Sequence, residues 1–384
     1  MARFLLLLLA GSLVRAPVAM AQGQESSPED PDAPSIFLLT MGPDHSVVFR
    51  KWGHAALCVG DQCLNYGVTD FSRPAGLVRE VLRGEAVFWL GVSAYEDMVG
   101  VYSRDDRSVF RQDLDLSPEV RDALLGRIAQ DLVPGQSEYI YNHFNDNCTS
   151  RIRDYLDEVS SGRLRGPIPL PLPFETPGKE PTFRGHIRRG LSEDPFLLWL
   201  SDVGVGSVAD EPISSFDAMF LPGALRYGVE QAFGAPPRRL HTGGYGDLLP
   251  PDPGSRPYLP WIFGIAGLLA LAILFPGNSG VRRSGVVSAA TLMTLVGAVA
   301  TAVLVLSPLP EFRTSAIALA VPPTDFLLTT RHARWYGPAR LVWGVGFLLA
   351  IAVGMLRQPL GWTVFATLLP LAAIVWRSRR PVES

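Results

Sequence analysis

The sequence predicts an α+β soluble domain followed by an all-α bundle of four to five transmembrane helices. Three observations carry this. The first residues have the build of an export signal, the next two hundred mix short apolar runs with turn residues and helical periodicity, and the last third is dominated by long stretches almost free of charge.

Met1 to Ala21 contains one early positive charge, Arg3, an apolar run from Phe4 to Val14 and the small-residue exit Ala19-Met20-Ala21. This is the pattern of a cleavable secretory signal peptide. Residues 22–34 are rich in Gln, Ser, Glu, Asp and Pro and read as a linker. Residues 35–233 are long enough for one domain with its own core. Residues 234–257 carry repeated Pro and Gly and read as a second linker, 258–376 as the bundle, and 377–384 as a charged tail.

Within the soluble domain, Ser35 to Thr40, Ala55 to Val59 and Cys63 to Tyr66 are short apolar runs predicted as strands. The last two form a hairpin about Gly60-Asp61. Pro118 to Asp131 follows Ser117, a capping residue, and reads as a helix. A second helix is expected to start at Cys148, capped by Asn147, with Ile152, Tyr155, Leu156 and Val159 on its apolar face.

In the last third, Tyr258 to Phe275, Gly285 to Leu306, Leu341 to Met355 and Leu360 to Trp376 are each about long enough to cross a bilayer. Ala316 to Leu328 is shorter and broken by Pro322, Pro323 and Asp325. Charge argues that it crosses too. With five crossings, Arg331, Arg334, Arg340, Arg377, Arg379 and Arg380 join Arg282 and Arg283 on the cytoplasmic side, as the positive-inside rule prefers. Five spans are therefore favoured, the third short and irregular.

The net charge of −3 gives no electrostatic footprint for nucleic acid. No His, Cys or carboxylate group has metal-ligand spacing, and no glycine loop suits a phosphate, so neither metal nor other cofactor is expected. Of three cysteines, Cys58 and Cys63 flank the hairpin turn and are candidates for a disulfide in an oxidising compartment. Cys148 is then the odd thiol. At a helix N-terminus it sits in the positive end of the helix field, which lowers its pKa, and free backbone N–H groups there can receive an oxyanion. His54, in Gly53-His54-Ala55-Ala56-Leu57, is the candidate base. His143 lies closer in sequence but is poorly placed to face the thiol.

Several blocks resemble the Lnb-type lipoprotein N-acyltransferase family: Phe37-Leu38-Leu39-Thr40 with the Gly53-His54 block, Asn65-Tyr66-Gly67-Val68-Thr69-Asp70-Phe71, Tyr139 to Phe144 with Asp146-Asn147-Cys148-Thr149-Ser150-Arg151, and Phe216 to Pro222. The resemblance implies a permuted papain-like, NlpC-type periplasmic domain with Cys148 and His54 as catalytic pair. Asn65 and Asp70 are the candidates for a third residue that orients the imidazole. Asn147, Thr149 and Tyr141 would form the pocket and oxyanion site, and Asp154 would pair with Arg151 or Arg184.

The resemblance further implies a multi-pass protein of the bacterial inner membrane whose partners are lipoproteins and the phospholipid bilayer. It would move an acyl chain from the diacylglyceryl group to the N-terminal amine of a lipoprotein cysteine. Two alternatives stay open: a membrane-anchored papain-like peptidase or amidase, and a non-catalytic envelope binding module. The proline run Gly166 to Phe174 reads as a surface loop or a lipid contact.

Overall fold

The computed structural model describes residues 34–44, 46–170 and 180–379. The signal peptide, most of the first linker, the end of the proline run and the last five residues of the tail lie outside the described residues.

The soluble part is built on one antiparallel sheet. Its strands are β1 (Ile36–Met41), β2 (His54–Val59), β3 (Gln62–Val68), β4 (Val87–Ala94), β5 (Val109–Asp113), β6 (Glu138–Ile140) and β7 (Arg238–His241), in the order β6-β4-β3-β2-β1-β5-β7. The three predicted strands are β1, β2 and β3. β1 lies inside the sheet between β2 and β5 and is buried on both faces, and its period of two divides the core. Ile36 and Leu38 face Leu124, Ile152 and Leu156, whereas Phe37, Leu39 and Met41 face Met98 and the Cys58–Cys63 bridge.

The helices of this part are α1 (Pro74–Leu82), α2 (Tyr95–Arg104), α3 (Pro118–Asp131), α4 (Cys148–Val159), α5 (Phe183–Gly190), α6 (Pro195–Gly204), α7 (Ser215–Ala218) and α8 (Pro222–Phe233). α3 and α4 occupy the two predicted ranges. α4 packs across β2 and β3, and α3 packs on α4. Asp131, buried at the end of α3, ties these layers together. It accepts from Tyr66 Oη at 3.0 Å and from Tyr155 Oη, and pairs with Arg127 at 2.9 Å.

The expected linker over 234–257 is corrected by the structure. Arg238–His241 is the edge strand β7 on β5, Gln112 Nε2 donates to Ala235 O at 2.7 Å, and Leu249 is buried. A short, Arg-rich edge strand has little apolar alternation for sequence reading to find. The soluble domain therefore runs to the start of the bundle.

The bundle has α9 (Leu259–Leu274), α10 (Ser279–Leu306), α11 (Pro310–Arg313), α12 (Ile317–Ala320), a 3-10 stretch Pro323–Thr329, α13 (Ala333–Ala352) and α14 (Gly361–Ser378). Among the described residues, four helices are long and apolar enough to cross a membrane. The fifth expected span is not one of them. Yet α10 and α13 both end against the soluble domain: Glu311 accepts from Asn142 Nδ2 at 3.1 Å, and Gln358 Nε2 donates to Val203 O at 3.0 Å. The chain between them has to return through the bundle, and residues 316–329 make that return in irregular form.

Irregular backbone at this depth needs internal partners. Arg340 Nη2 donates to Ala320 O at 2.7 Å and Trp343 Nε1 to Leu319 O at 2.8 Å. Gly297 permits the approach, since a Cβ there would lie 2.3 Å from Val321 O. Arg340, expected among the cytoplasmic basic residues, is instead inside the bundle, paired with Asp325 at 3.0 Å. Arg282, Arg283, Arg331, Arg334, Arg377 and Arg379 lie at or near helix ends remote from the soluble domain.

Candidate active site

His54 opens β2 directly after Gly53, whose φ of +94° suits glycine and whose Cβ would meet Met41 O at 2.6 Å. The imidazole Nε2 lies 2.9 Å from Asn65 Oδ1. That oxygen also accepts the Gly67 N–H at 3.0 Å, which identifies it as the amide oxygen. Nε2 must then donate, so the proton of neutral His54 sits there and Nδ1 is left as the acceptor. Gly67 forms the floor beneath the ring: a Cβ at this residue would be 2.8 Å from His54 Cε1. Tyr102 stacks on the ring at 5.9 Å, with the Arg107 guanidinium 4.7 Å from the Tyr102 centroid.

Cys148 is the first residue of α4 and is partly buried. Burial works against its ionisation, but the charge of His54, hydrogen bonds to the His54 side chain and Ala55 backbone, and the Thr149 hydroxyl outweigh it and bring the thiol down to about 7. Thr149 Oγ1 is 3.7 Å from the sulfur. Cys58 and Cys63, opposite one another in the β2–β3 register, are joined as a disulfide, which leaves Cys148 as the free cysteine.

The helix start is more fully occupied than sequence reading expects. Asn147 Oδ1 accepts from the N–H groups of both Thr149 and Ser150 at 2.8 Å, and Ser150 Oγ accepts from Asn147 N at 2.8 Å. Asn147 Nδ2 donates to His143 O and Phe220 O. Asn147 is therefore a cap and a brace, and the Thr149 amide is not free for an oxyanion. Among the described residues, the Cys148 N–H is the donor of this turn that these bonds leave over.

Tyr141 stands beside the site, its hydroxyl pushed well above the usual phenol range by burial and by the charge of Cys148. Its Oη lies 3.0 Å from His143 Nδ1. His143 is held neutral by burial, its pKa pushed down to about 4, and its Nε2 is buried without a partner. An unpaired buried acceptor costs less than an unpaired donor, so the proton belongs on Nδ1. His143 then donates to Tyr141 Oη and leaves the Tyr141 O–H free to donate elsewhere.

Asp70 is not brought to the imidazole. It is exposed, accepts from Ser72 N at 2.9 Å and pairs with Arg73 at 3.3 Å ahead of α1. Of the two third-residue candidates, only Asn65 reaches His54. Asp154 pairs with Arg153 at 2.8 Å, while Arg151 takes Asp146 and Arg184 takes Asp210. Sequence reading missed Tyr102 and the roles of Gly67 and His143. A glycine inside a strand pattern was the one available signal, since it often marks close approach.

Gly67→Ala tests the floor directly. Its backbone tolerates alanine but the ring does not, so His54 should shift and the midpoint of Cys148 alkylation against pH should rise from about 7 towards the ordinary thiol value of about 9. A midpoint unchanged from wild type would show that the ring does not rest there.

These features define a membrane protein with an exported α+β domain bearing a cysteine, a histidine and an asparagine in one site. The family model described as the Lnb N-terminal periplasmic domain matches residues 29–175, a stretch that contains all three. The chain carries an Lnb N-terminal periplasmic domain ahead of four apolar helices, which supports the Lnb-type family that its motifs resemble. No curated protein and no solved structure matches the chain.

Proposed function

We propose that this protein is a lipoprotein N-acyltransferase of the cell envelope, working through a thioester on Cys148. The observation that carries the reading is a thiol lowered to about 7 beside a histidine whose other nitrogen is fixed by Asn65, within the matched family domain. The substrate is a lipoprotein whose N-terminal cysteine bears a diacylglyceryl thioether and a free amine, at the inner membrane.

Cys148 Sγ attacks the carbonyl of the glyceryl sn-2 ester. The C–O bond breaks and the glyceryl oxygen leaves as an alcohol, taking the proton from His54. The acyl chain is now a thioester on Cys148. The lipoprotein amine attacks this thioester, His54 takes the amine proton, the C–S bond breaks, and an N-acyl, lyso-glyceryl cysteine departs. Asn65 holds His54 in the required tautomer. The Cys148 N–H and the Tyr141 O–H, the latter freed by His143, are the donors for the oxyanion of both steps.

The test is mass spectrometry of a lipoprotein N-terminal peptide from cells depleted of their own N-acylating enzyme and carrying wild type, Cys148→Ala or His54→Ala. An N-acyl, lyso-glyceryl product with wild type alone is expected. A diacylglyceryl cysteine with a free amine in all three, with the protein expressed and membrane-inserted, would overturn the reading. It would return the choice to a peptidase or a binding module.

A further inference from the structure

A cavity of about 540 Å³ lies where α6 of the soluble domain covers a slot between α9, α10 and α14. Its walls include Trp199, Tyr258, Ala266, Leu269, Met293 and Ala366. Ala266 and Ala366, with Ala289 opposite, supply the width, because a larger side chain at any of them would project into the slot. From Tyr258 to Leu269 the wall descends eleven residues along α9, about 17 Å of helix. That is close to half of the roughly 30 Å hydrocarbon core, the depth filled by the chains of one leaflet.

The few polar groups of the wall are already used within the protein. Trp199 Nε1 donates to Thr363 Oγ1 at 3.1 Å, Tyr258 Oη to Asp202 at 2.8 Å, and Thr367 Oγ1 to Val364 O at 2.7 Å. Asp194, also on the wall, caps α6 by accepting from Leu197 N at 3.0 Å, and apart from that carboxylate the cavity offers its occupant hydrocarbon. A polar molecule would lose its water partners on entry and replace few of them. At the rim, Phe196 and Trp261 are 65% and 67% exposed, next to the soluble domain, where aromatic side chains mark the level of the lipid headgroups.

We infer that this slot between α6, α9, α10 and α14 binds one fatty acyl chain of a bilayer glycerolipid, with the glyceryl end emerging beneath α6. Depth, walls that are apolar apart from Asp194, and an aromatic rim at the headgroup level all fit a single chain entering from the leaflet next to the soluble domain. The site is separate from Cys148 and does not depend on its chemistry.

The experiment uses the full chain in lipid nanodiscs containing a trace of phosphatidylethanolamine with a diazirine at the end of its sn-2 chain. After irradiation, labelled residues are mapped by mass spectrometry. Label on Leu269 and Met293 should exceed that on the outward-facing Leu268, Leu271 and Leu295 by about tenfold. Ala266→Phe and, separately, Val296→Phe, a change at a residue of α10 that also lines the slot, should each remove that excess while the melting curve shows a folded protein. Cys148→Ala should label as wild type, so loss of acyl transfer and loss of the lipid site are told apart. Uniform label over inner and outer faces, or undiminished label in either folded filling variant, would overturn the proposal.

Discussion

His54→Ala should lower the proposed acyl transfer by about 10²- to 10⁴-fold, the range expected when a positioned acid–base group is removed. Its clearest readout is the thiol itself. In the wild type, burial opposes ionisation of Cys148 and His54 is the largest of the groups that outweigh it, giving a midpoint of about 7. Without His54 burial is opposed only by Ala55 and Thr149, so the midpoint of iodoacetamide reaction should move to about 9 or higher.

The sign follows from an acid whose folded pKa is depressed. Above about pH 7 the wild-type thiolate is present and activity should be high; as pH falls through about 7 the sulfur is protonated and activity is lost. The alkylation rate at pH 7 should fall less steeply than the fraction ionised, by only about five- to tenfold, because a thiolate of higher pKa is the better nucleophile. Iodoacetamide titration by intact mass at several pH values measures this. A midpoint that stays near 7 in folded His54→Ala would remove His54 as the partner of the thiol.

Asp325→Ala should cost about 3–5 kcal/mol, the usual penalty for stranding one partner of a buried ion pair. Asp325 is fully buried and Arg340 nearly so, the guanidinium lies 3.0 Å from Asp325 Oδ1, and Tyr336 Oη donates to the same oxygen at 2.8 Å. Removing the carboxylate leaves a cation in the bundle with the Ala320 carbonyl as its remaining acceptor among these contacts. The loss should fall first on residues 316–329, whose irregular backbone this pair anchors. Asp325→Leu with Arg340→Met should recover most of the stability, because no charge is then left without its partner. Unfolding of the purified protein in detergent checks both; a single variant within about 1 kcal/mol of wild type would show that the pair does not anchor the segment.

The parts of this protein legible in its sequence are those governed by neighbours in the chain. Asn147 ahead of Cys148, Ser117 ahead of Pro118, and Gly60-Asp61 between two apolar runs are local signals, and α4, α3 and the β2–β3 hairpin stand where they point. The apolar lengths of the last third likewise announce four helices, since crossing a bilayer is a question of local length. Family motifs added which cysteine and histidine to consider together.

What only the tertiary structure decided depends on residues far apart in sequence. The sheet register places Asn65, not Asp70, against His54, and the cap bonds of Asn147 occupy amides that a helix start alone would offer to an oxyanion. β7 became a strand because β5 presented an open edge to it, not through any alternation of its own. Residues 316–329 return through the bundle without a regular helix because Arg340 and Trp343 reach carbonyls that Pro322 and Pro323 cannot help to satisfy. Capping, turn formation and span length are short-range choices written in consecutive residues; strand partners, buried ion pairs and the occupancy of hydrogen-bond donors are settled only when distant segments compete for the same groups.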